Sequence, residues 1–369
     1  MWTFTLPTRI VFGAGVAETA RETAATLGQR PAVITDATLA ALPHIQRIVE
    51  SFGDAPAYTE VEPNPTTDNV DAAAAMLREN GCDAVVAIGG GSPLDCAKAA
   101  AVLALTADTS IRAYHSEGKA LPADALPLIA LPTTAGTGSE VTPFSVLDDR
   151  QKGVKGPIAG DALYPAVTLV DPTLTFTLPN YITACTGLDA LSHALEGYWS
   201  RGHQPICDHL AKEAARLVFA HLELALTMPG HTGAREALSY AATLAGMAFQ
   251  LPKNAMVHAC SFPLSNRYHL PHGAACAFTM EFAIRLNAPH MGGRLDAFAH
   301  YCGFDSPEAM ARRISELKAL GGLPRTLADA GIPQEAVATL IDESWHPLIK
   351  NNPKEVTRDD LEAMYASLA

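Results

Sequence analysis

The chain has 369 residues, 48% hydrophobic and 18% charged, which is long enough for two domains with separate interiors and too apolar for a disordered polymer. Its 39 acidic against 26 basic side chains leave a formal net charge of −13, and with no basic block in the sequence this argues against a nucleic-acid partner. The opening MWTFTLPTRIVFGAG lacks a basic segment followed by an apolar run, and the apolar stretches fall well short of the roughly 20 residues that a spanning helix needs. The expectation is a cytoplasmic protein with no membrane partner.

Up to about residue 175, short β-branched runs alternate with alanine-rich stretches: RPAVITD, ATLAALPHIQRIVESFG, NVDAAAAMLRENG, CDAVVAIGGG, PLDCAKAAAVLAL and LPLIALPTT. Strands alternating with helices predict a parallel sheet covered on both faces. Asp36 closes the first of these strands. Two roles are open to it: receiving the ribose hydroxyls of a dinucleotide, which disfavours a 2′-phosphate, or capping the helix that follows.

The stretch AIGGGSPLDCAKAAA runs from an apolar strand through Gly89, Gly90, Gly91 and Ser92 into a helix. Three glycines allow close backbone approach to a bulky anion, and the helix behind them offers free N–H groups at its positive end. The spacing is neither G-x-G-x-x-G nor G-x-x-x-x-G-K-[ST], so a tight strand-to-helix turn is the competing reading, and the missing G-K-[ST] argues against phosphoryl transfer of the P-loop kind. LPTTAGTGSEVT, residues 131–142, supplies a second glycine- and hydroxyl-rich loop after an apolar strand. Ligands of open α/β sheets bind at the carboxyl ends of strands, so the two loops reinforce each other.

VDPTLTFTLP, with Pro172 and Pro179, reads as a connector. Beyond it the β-branched runs fade into long Ala- and Leu-rich helices. The expected division is an α/β dinucleotide-binding domain at 1–178 and an all-helical domain at 179–369.

Within the helical half, TGLDALSHALEGYWS places Asp189 and His193 one turn apart on the same helix face, and NAMVHACSFPLSNRYHLPHGAAC carries His258, His269 and His272. One carboxylate and three imidazoles form a donor set for Fe²⁺ or Zn²⁺, although a hydrogen-bonded core histidine and a plain turn at LPHG fit the same spacing. The seven cysteines are scattered and never spaced C-x-x-C, which suits a reducing compartment; Cys260 is read as a buried free thiol.

Taken in order, RIVFGAG, PNPT, GGGSPLDCAK, PTTAGTGSEVT, DPTLTFTLP, TGLDALSHALEGYWS, LPHG and NNPKEVTRDDLEAMYASLA make the chain resemble the iron-containing (group III) alcohol dehydrogenases over essentially its whole length. The resemblance implies a dinucleotide-binding α/β domain followed by a helical domain, with interconversion of an alcohol and an aldehyde or ketone by NAD(P). It implies metal ligands at Asp189, His193, His258 and His272, with Fe²⁺ expected and Zn²⁺ possible. Cofactor contacts follow at Gly90, Gly91 and Ser92 for the pyrophosphate, and at Thr133, Thr134 and Ser139 for ribose or nicotinamide. Asn64 falls in the cofactor-side PNPT loop, Lys155 near a lysine that often faces the cofactor, and Asp36 at the position associated with NAD(H) over NADP(H). Many members carry a further histidine four residues after His258; Phe262 stands there, so a proton relay at that position is not implied, and His269 or a water chain is the expected substitute.

The functional expectation is a metal-dependent NAD(P)-linked alcohol dehydrogenase or aldehyde reductase for a small primary alcohol or aldehyde, working as a homodimer. The alternative substrate is a small anionic aldehyde such as phosphonoacetaldehyde, with Arg267 and Lys253 as groups for the anion. A catalytically inactive nucleotide-binding protein is the alternative of another class.

Overall fold

A computed structural model describes residues 1–369. The strands in chain order are β1 (Arg9–Phe12), β2 (Pro31–Ile34), β3 (Ala57–Tyr58), β4 (Ala84–Gly89), β5 (Leu128–Pro132), β6 (Phe144–Asp149), β7 (Val154–Ala159) and β8 (Val167–Val170). Helices α1 (Ala20–Ala25), α2 (Ala37–Ala40), α3 (Pro43–Ser51), α4 (Thr67–Glu79), α5 (Gly91–Leu103) and α6 (Arg112–His115) are interleaved with them. The helices α7 (Asn180–Trp199), α8 (Pro205–Thr227), α9 (Thr232–Phe249), α10 (Met256–Tyr268) and α11 (His272–Asn287) come next, and further helices complete the chain.

Two compact units result. One comprises Thr5–Thr134 and Gly138–Thr175; the other comprises Phe176–Ala369 together with Met1–Phe4 and Ala135–Thr137. The division falls at Phe176 rather than after 178, and the small-residue stretch around Gly136 groups with the helices because a Cβ there would lie only 2.7 Å from the Thr186 side chain of α7.

In the first unit six strands form a sheet in the order β1-β8-β5-β4-β2-β3, parallel throughout. The strands read as continuous apolar runs because both faces are covered: Val85 and Ala87 join one core cluster, and Val86 and Ile88 the other. The register Ile88↔Leu131 and Gly89↔Pro132 aligns the carboxyl ends of β4 and β5, so the two glycine-rich loops leave the sheet side by side. An antiparallel hairpin, β6–β7, is added to this parallel architecture. The Asp95 carboxylate of α5 holds it by accepting the Val146 N–H at 2.8 Å, and the Asp95 carbonyl accepts the Ser145 hydroxyl at the same distance.

The second unit is helical, with one large core that includes Leu188, Leu191 and Leu195 of α7, Leu222 of α8 and Phe278 of α11. Six of the seven cysteines are buried and none is in a disulfide. No helix is long and apolar enough to cross a membrane.

Candidate functional site

In the α/β unit, Gly90 occupies the N-cap position of α5, so Gly91 and Ser92 open the helix. Gly89 takes φ +155°, and a Cβ on it would lie 2.4 Å from the Pro93 ring; only glycine allows the strand to turn into the helix this tightly. Thr133 donates its N–H to the Gly89 carbonyl at 3.0 Å, and a Cβ at Gly90 would sit 3.2 Å from the Thr134 hydroxyl, which brings the second loop against the first. Asn64, in a left-handed conformation (φ 56°), donates its N–H to Ser92 Oγ at 3.1 Å and accepts from Lys155 Nζ at 3.0 Å. Asn64, Ser92 and Lys155, separated by up to 91 residues, therefore form one linked group beside the helix N-terminus.

Two residues of this set are engaged in the fold itself. The buried Ser139 hydroxyl donates to Asp95 at 2.5 Å and accepts from Lys98 Nζ at 2.9 Å, so it is turned into the interior instead of outward to ribose or nicotinamide. Burial lowers the Lys98 ammonium to about 8 despite the opposing Asp95 charge. The Asp36 carboxylate accepts the Leu39 N–H at 2.8 Å and caps α2, as the capping reading anticipates, while its other oxygen is not engaged in that bond.

In the helical unit, Asp189 and His193 project from α7 and are 2% and 4% exposed; His258 comes from the first turn of α10, and His272 begins α11. His193 Nε2 and His258 Nε2 lie 3.1 Å apart, and His272 Nε2 is 3.7 Å from Asp189 Oδ1. Close packing of helices produces this convergence. Gly273 is the second residue of α11, and a Cβ there would lie 2.0 Å from the Cys185 carbonyl oxygen and 3.0 Å from Asp189 Cβ. Only glycine lets α11 approach α7 closely enough to set His272 beside Asp189. The His193 ring stacks on Phe249 at 4.2 Å with an interplanar angle of 13°, which fixes its plane.

Two further residues, Glu196 and Cys276, join the site beyond those that the motifs above point to. Glu196, fully buried, lies three residues after His193 on α7; its carboxylate accepts from Val257 N–H at 2.7 Å and meets His258 Nδ1 at 2.6 Å. A proton on Nδ1 leaves the lone pair of His258 on Nε2, the nitrogen that faces His193. The signal is the i, i+3 spacing within HALEG. Cys276, one turn after His272, is the second: its Sγ is 3.7 Å from His272 Nε2, and the donor atoms of Asp189, His258, His272 and Cys276 all lie within 4.8 Å of one another.

Burial pushes the Asp189 carboxyl up to about 6, and burial together with His258 and His272 holds His193 well below the usual imidazole value. Burial also opposes a charge on His258, but Cys276 and Glu196 outweigh it and raise that group. Asp189 Oδ1 is buried with no hydrogen-bond partner. A buried carboxylate oxygen facing imidazole nitrogens is a poor arrangement for a bare protein and a good one for a divalent cation, so the residues present fit a metal.

The remaining expectations fall outside this cluster. His269 is exposed, takes φ 55° and closes α10 as its C-cap residue, away from the gathered donors. Phe262 packs edge-to-face on His346 at 4.8 Å. Arg267 forms a surface ion pair with Glu343, Nε to Oε2 at 2.6 Å.

A family model described as iron-containing alcohol dehydrogenase matches residues 7–172, and one for the C-terminal part of the Fe-containing alcohol dehydrogenase family matches residues 183–369. The chain is 34% identical to alcohol dehydrogenase 4 of Saccharomyces cerevisiae strain YJM789, over 98% of this chain and 97% of that one. It is 31% identical to a sulfoacetaldehyde reductase of Bilophila wadsworthia, over 96% of each. Among solved structures, sulfoacetaldehyde reductase from Bifidobacterium kashiwanohense in complex with NAD⁺ superposes with a TM-score of 0.95 at 45% identity, covering 100% of this chain and 98% of that one. A 1,3-propanediol oxidoreductase gives a TM-score of 0.94 at 29% identity, with full coverage of both chains.

Proposed function

The chain belongs to the iron-containing alcohol dehydrogenase family and is an NAD(H)- and metal-dependent oxidoreductase of alcohols and aldehydes, and we propose that it reduces a small aldehyde bearing a sulfonate-like or phosphonate-like anion. The observation that carries this substrate class is the 45% identity over the whole chain with the Bifidobacterium sulfoacetaldehyde reductase, against 29% with the 1,3-propanediol oxidoreductase. A short neutral alcohol or aldehyde is the second reading, favoured by the 34% identity to the yeast alcohol dehydrogenase over nearly the whole chain.

Asp189, His193, His258 and His272 hold the cation, proposed to be Fe²⁺ with Zn²⁺ as the other candidate. A divalent cation supplies Lewis-acid polarisation of the carbonyl oxygen, and the dihydronicotinamide supplies hydride. Glu196 keeps the His258 lone pair on Nε2, and Phe249 keeps the His193 ring in plane. Gly90, Gly91 and Ser92 present backbone N–H groups of α5 to the pyrophosphate, while Asn64 and Lys155 flank that helix N-terminus and Thr133 and Thr134 its neighbouring loop. Asp36 takes the adenosine ribose hydroxyls and favours NAD(H) over NADP(H). Lys253, in the turn before His258, and Arg267 are the groups proposed to meet the anionic end of the substrate, with Lys253 the one tested below. We further propose a cytoplasmic homodimer.

The test is NADH consumption by metal-reconstituted enzyme with sulfoacetaldehyde, phosphonoacetaldehyde and propanal. The expected result is a kcat/KM at least about tenfold higher for an anionic aldehyde, about 1.4 kcal/mol of discrimination, with a Lys253→Ala variant that raises KM for that substrate alone. Equal or better turnover of propanal establishes the neutral reading instead.

A further inference from the structure

We propose that Cys276 is a metal ligand, so that the site carries a sulfur donor beside its nitrogen and oxygen donors; this rests on the metal-centre reading of the preceding subsection. Cys276 follows His272 by one helical turn on α11 and therefore faces the same way. Its side chain is fully buried, with Sγ 3.7 Å from His272 Nε2.

The mutual distances favour Cys276 as donor over Cys276 as filler. Asp189, His258, His272 and Cys276 form a set in which every donor atom is within 4.8 Å of every other. His193 is not part of that set, although its Nε2 is 3.1 Å from His258 Nε2. The ligand set that the family resemblance implies and the set of mutually close donors thus share Asp189, His258 and His272, and differ in whether His193 or Cys276 completes them. A second observation points to a cation at the common part: Asp189 is 2% exposed, and its Oδ1 is buried without a hydrogen-bond partner.

A thiol that only fills space needs no such neighbours, because a small apolar group packs equally well in its place. On coordination the S–H bond breaks, its proton leaves to solvent, and a sulfur–metal bond forms with no change of oxidation state. Thiolate is a soft ligand, so its presence moves preference toward Zn²⁺ and Co²⁺ relative to Fe²⁺.

The experiment uses the full chain, stripped of metal and titrated with Co²⁺ while its absorption spectrum is followed. The expected result is stoichiometric uptake, with the visible d–d bands of a four- or five-coordinate ion and a near-ultraviolet thiolate-to-cobalt charge-transfer band. Cys276→Ser and Cys276→Ala, each checked for native circular dichroism, keep the d–d bands, lose the charge-transfer band and bind Zn²⁺ about tenfold or more weakly. The isosteric serine variant guards against a packing defect in the alanine one. Native d–d bands without a charge-transfer band in the unmodified protein overturn the role of Cys276 and leave the metal centre standing, as does a charge-transfer band that survives in both variants. No Co²⁺ uptake by the unmodified protein, matching a His258→Ala control, overturns the metal centre and this proposal together.

Discussion

Replacing Glu196 by glutamine tests how far the metal centre depends on a residue that touches no metal. Each carboxylate oxygen serves a separate donor: Oε1 accepts from Val257 N–H at 2.7 Å, and Oε2 meets His258 Nδ1 at 2.6 Å. Glutamine keeps the shape but converts one acceptor into an NH₂ group. If that group faces Val257, two donors confront each other in a fully buried place, at a cost of about 1–3 kcal/mol. If it faces His258, the ring must accept at Nδ1 and carry its proton on Nε2, the atom needed for coordination. Both arrangements weaken the site. The expected loss of metal affinity is about 10–100-fold, equivalent to about 1.4–2.8 kcal/mol. Competition against a chelator of known affinity, with circular dichroism to confirm folding, measures it. A Glu196→Gln protein that folds and retains metal as tightly as the unmodified chain refutes the argument that this carboxylate sets the His258 tautomer.

Two further outcomes follow from residues of the α/β unit. Asp36→Ala removes both the α2 cap, worth about 1 kcal/mol, and the proposed ribose acceptor, so the kcat/KM ratio of NADH to NADPH should narrow; an unchanged ratio confines Asp36 to capping. Asp83 accepts the N–H groups of Gln29 at 3.0 Å and Arg30 at 2.7 Å, and these bonds hold its carboxyl below the usual aspartate value. Because the folded value is depressed, its stabilisation is present above the unfolded value and is lost as pH falls through the folded one. Asp83→Ala should therefore lower the Tm at pH 7, with the gap to the unmodified chain closing as the pH approaches the acid range; a gap that persists there contradicts the assignment.

The parallel sheet was legible because runs such as AVVAIG, residues 84–89, are apolar at every position, as burial on both faces permits, and because alanine-rich helical stretches alternate with them. The β6–β7 hairpin was not legible in this way. Its strands carry Asp148, Asp149 and Lys155, and what fixes them is Asp95, some fifty residues upstream. Asp189 and His193 declared themselves through a four-residue spacing on one helix; Glu196 shares that face, but its role rests on its 2.6 Å approach to His258, which no local spacing encodes. Cys276 was hidden for a similar reason: a cysteine is a common core residue, and only the approach of three helices shows which one points at ligands. The packing of Phe262 on His346, across 84 residues of sequence, has no local signature at all.

Every donor of the proposed metal centre, with Glu196 and Cys276, belongs to the helical unit, while every proposed dinucleotide contact belongs to the other. The two halves of the chemistry can therefore change independently over evolutionary time. A descendant that loses its imidazoles one by one would still inherit an intact nucleotide receptor, and one that swaps its ribose acceptor would keep its cation chemistry. Within such a lineage, redox cofactor choice and metal choice become separately heritable traits, each tunable by substitutions that leave the other alone.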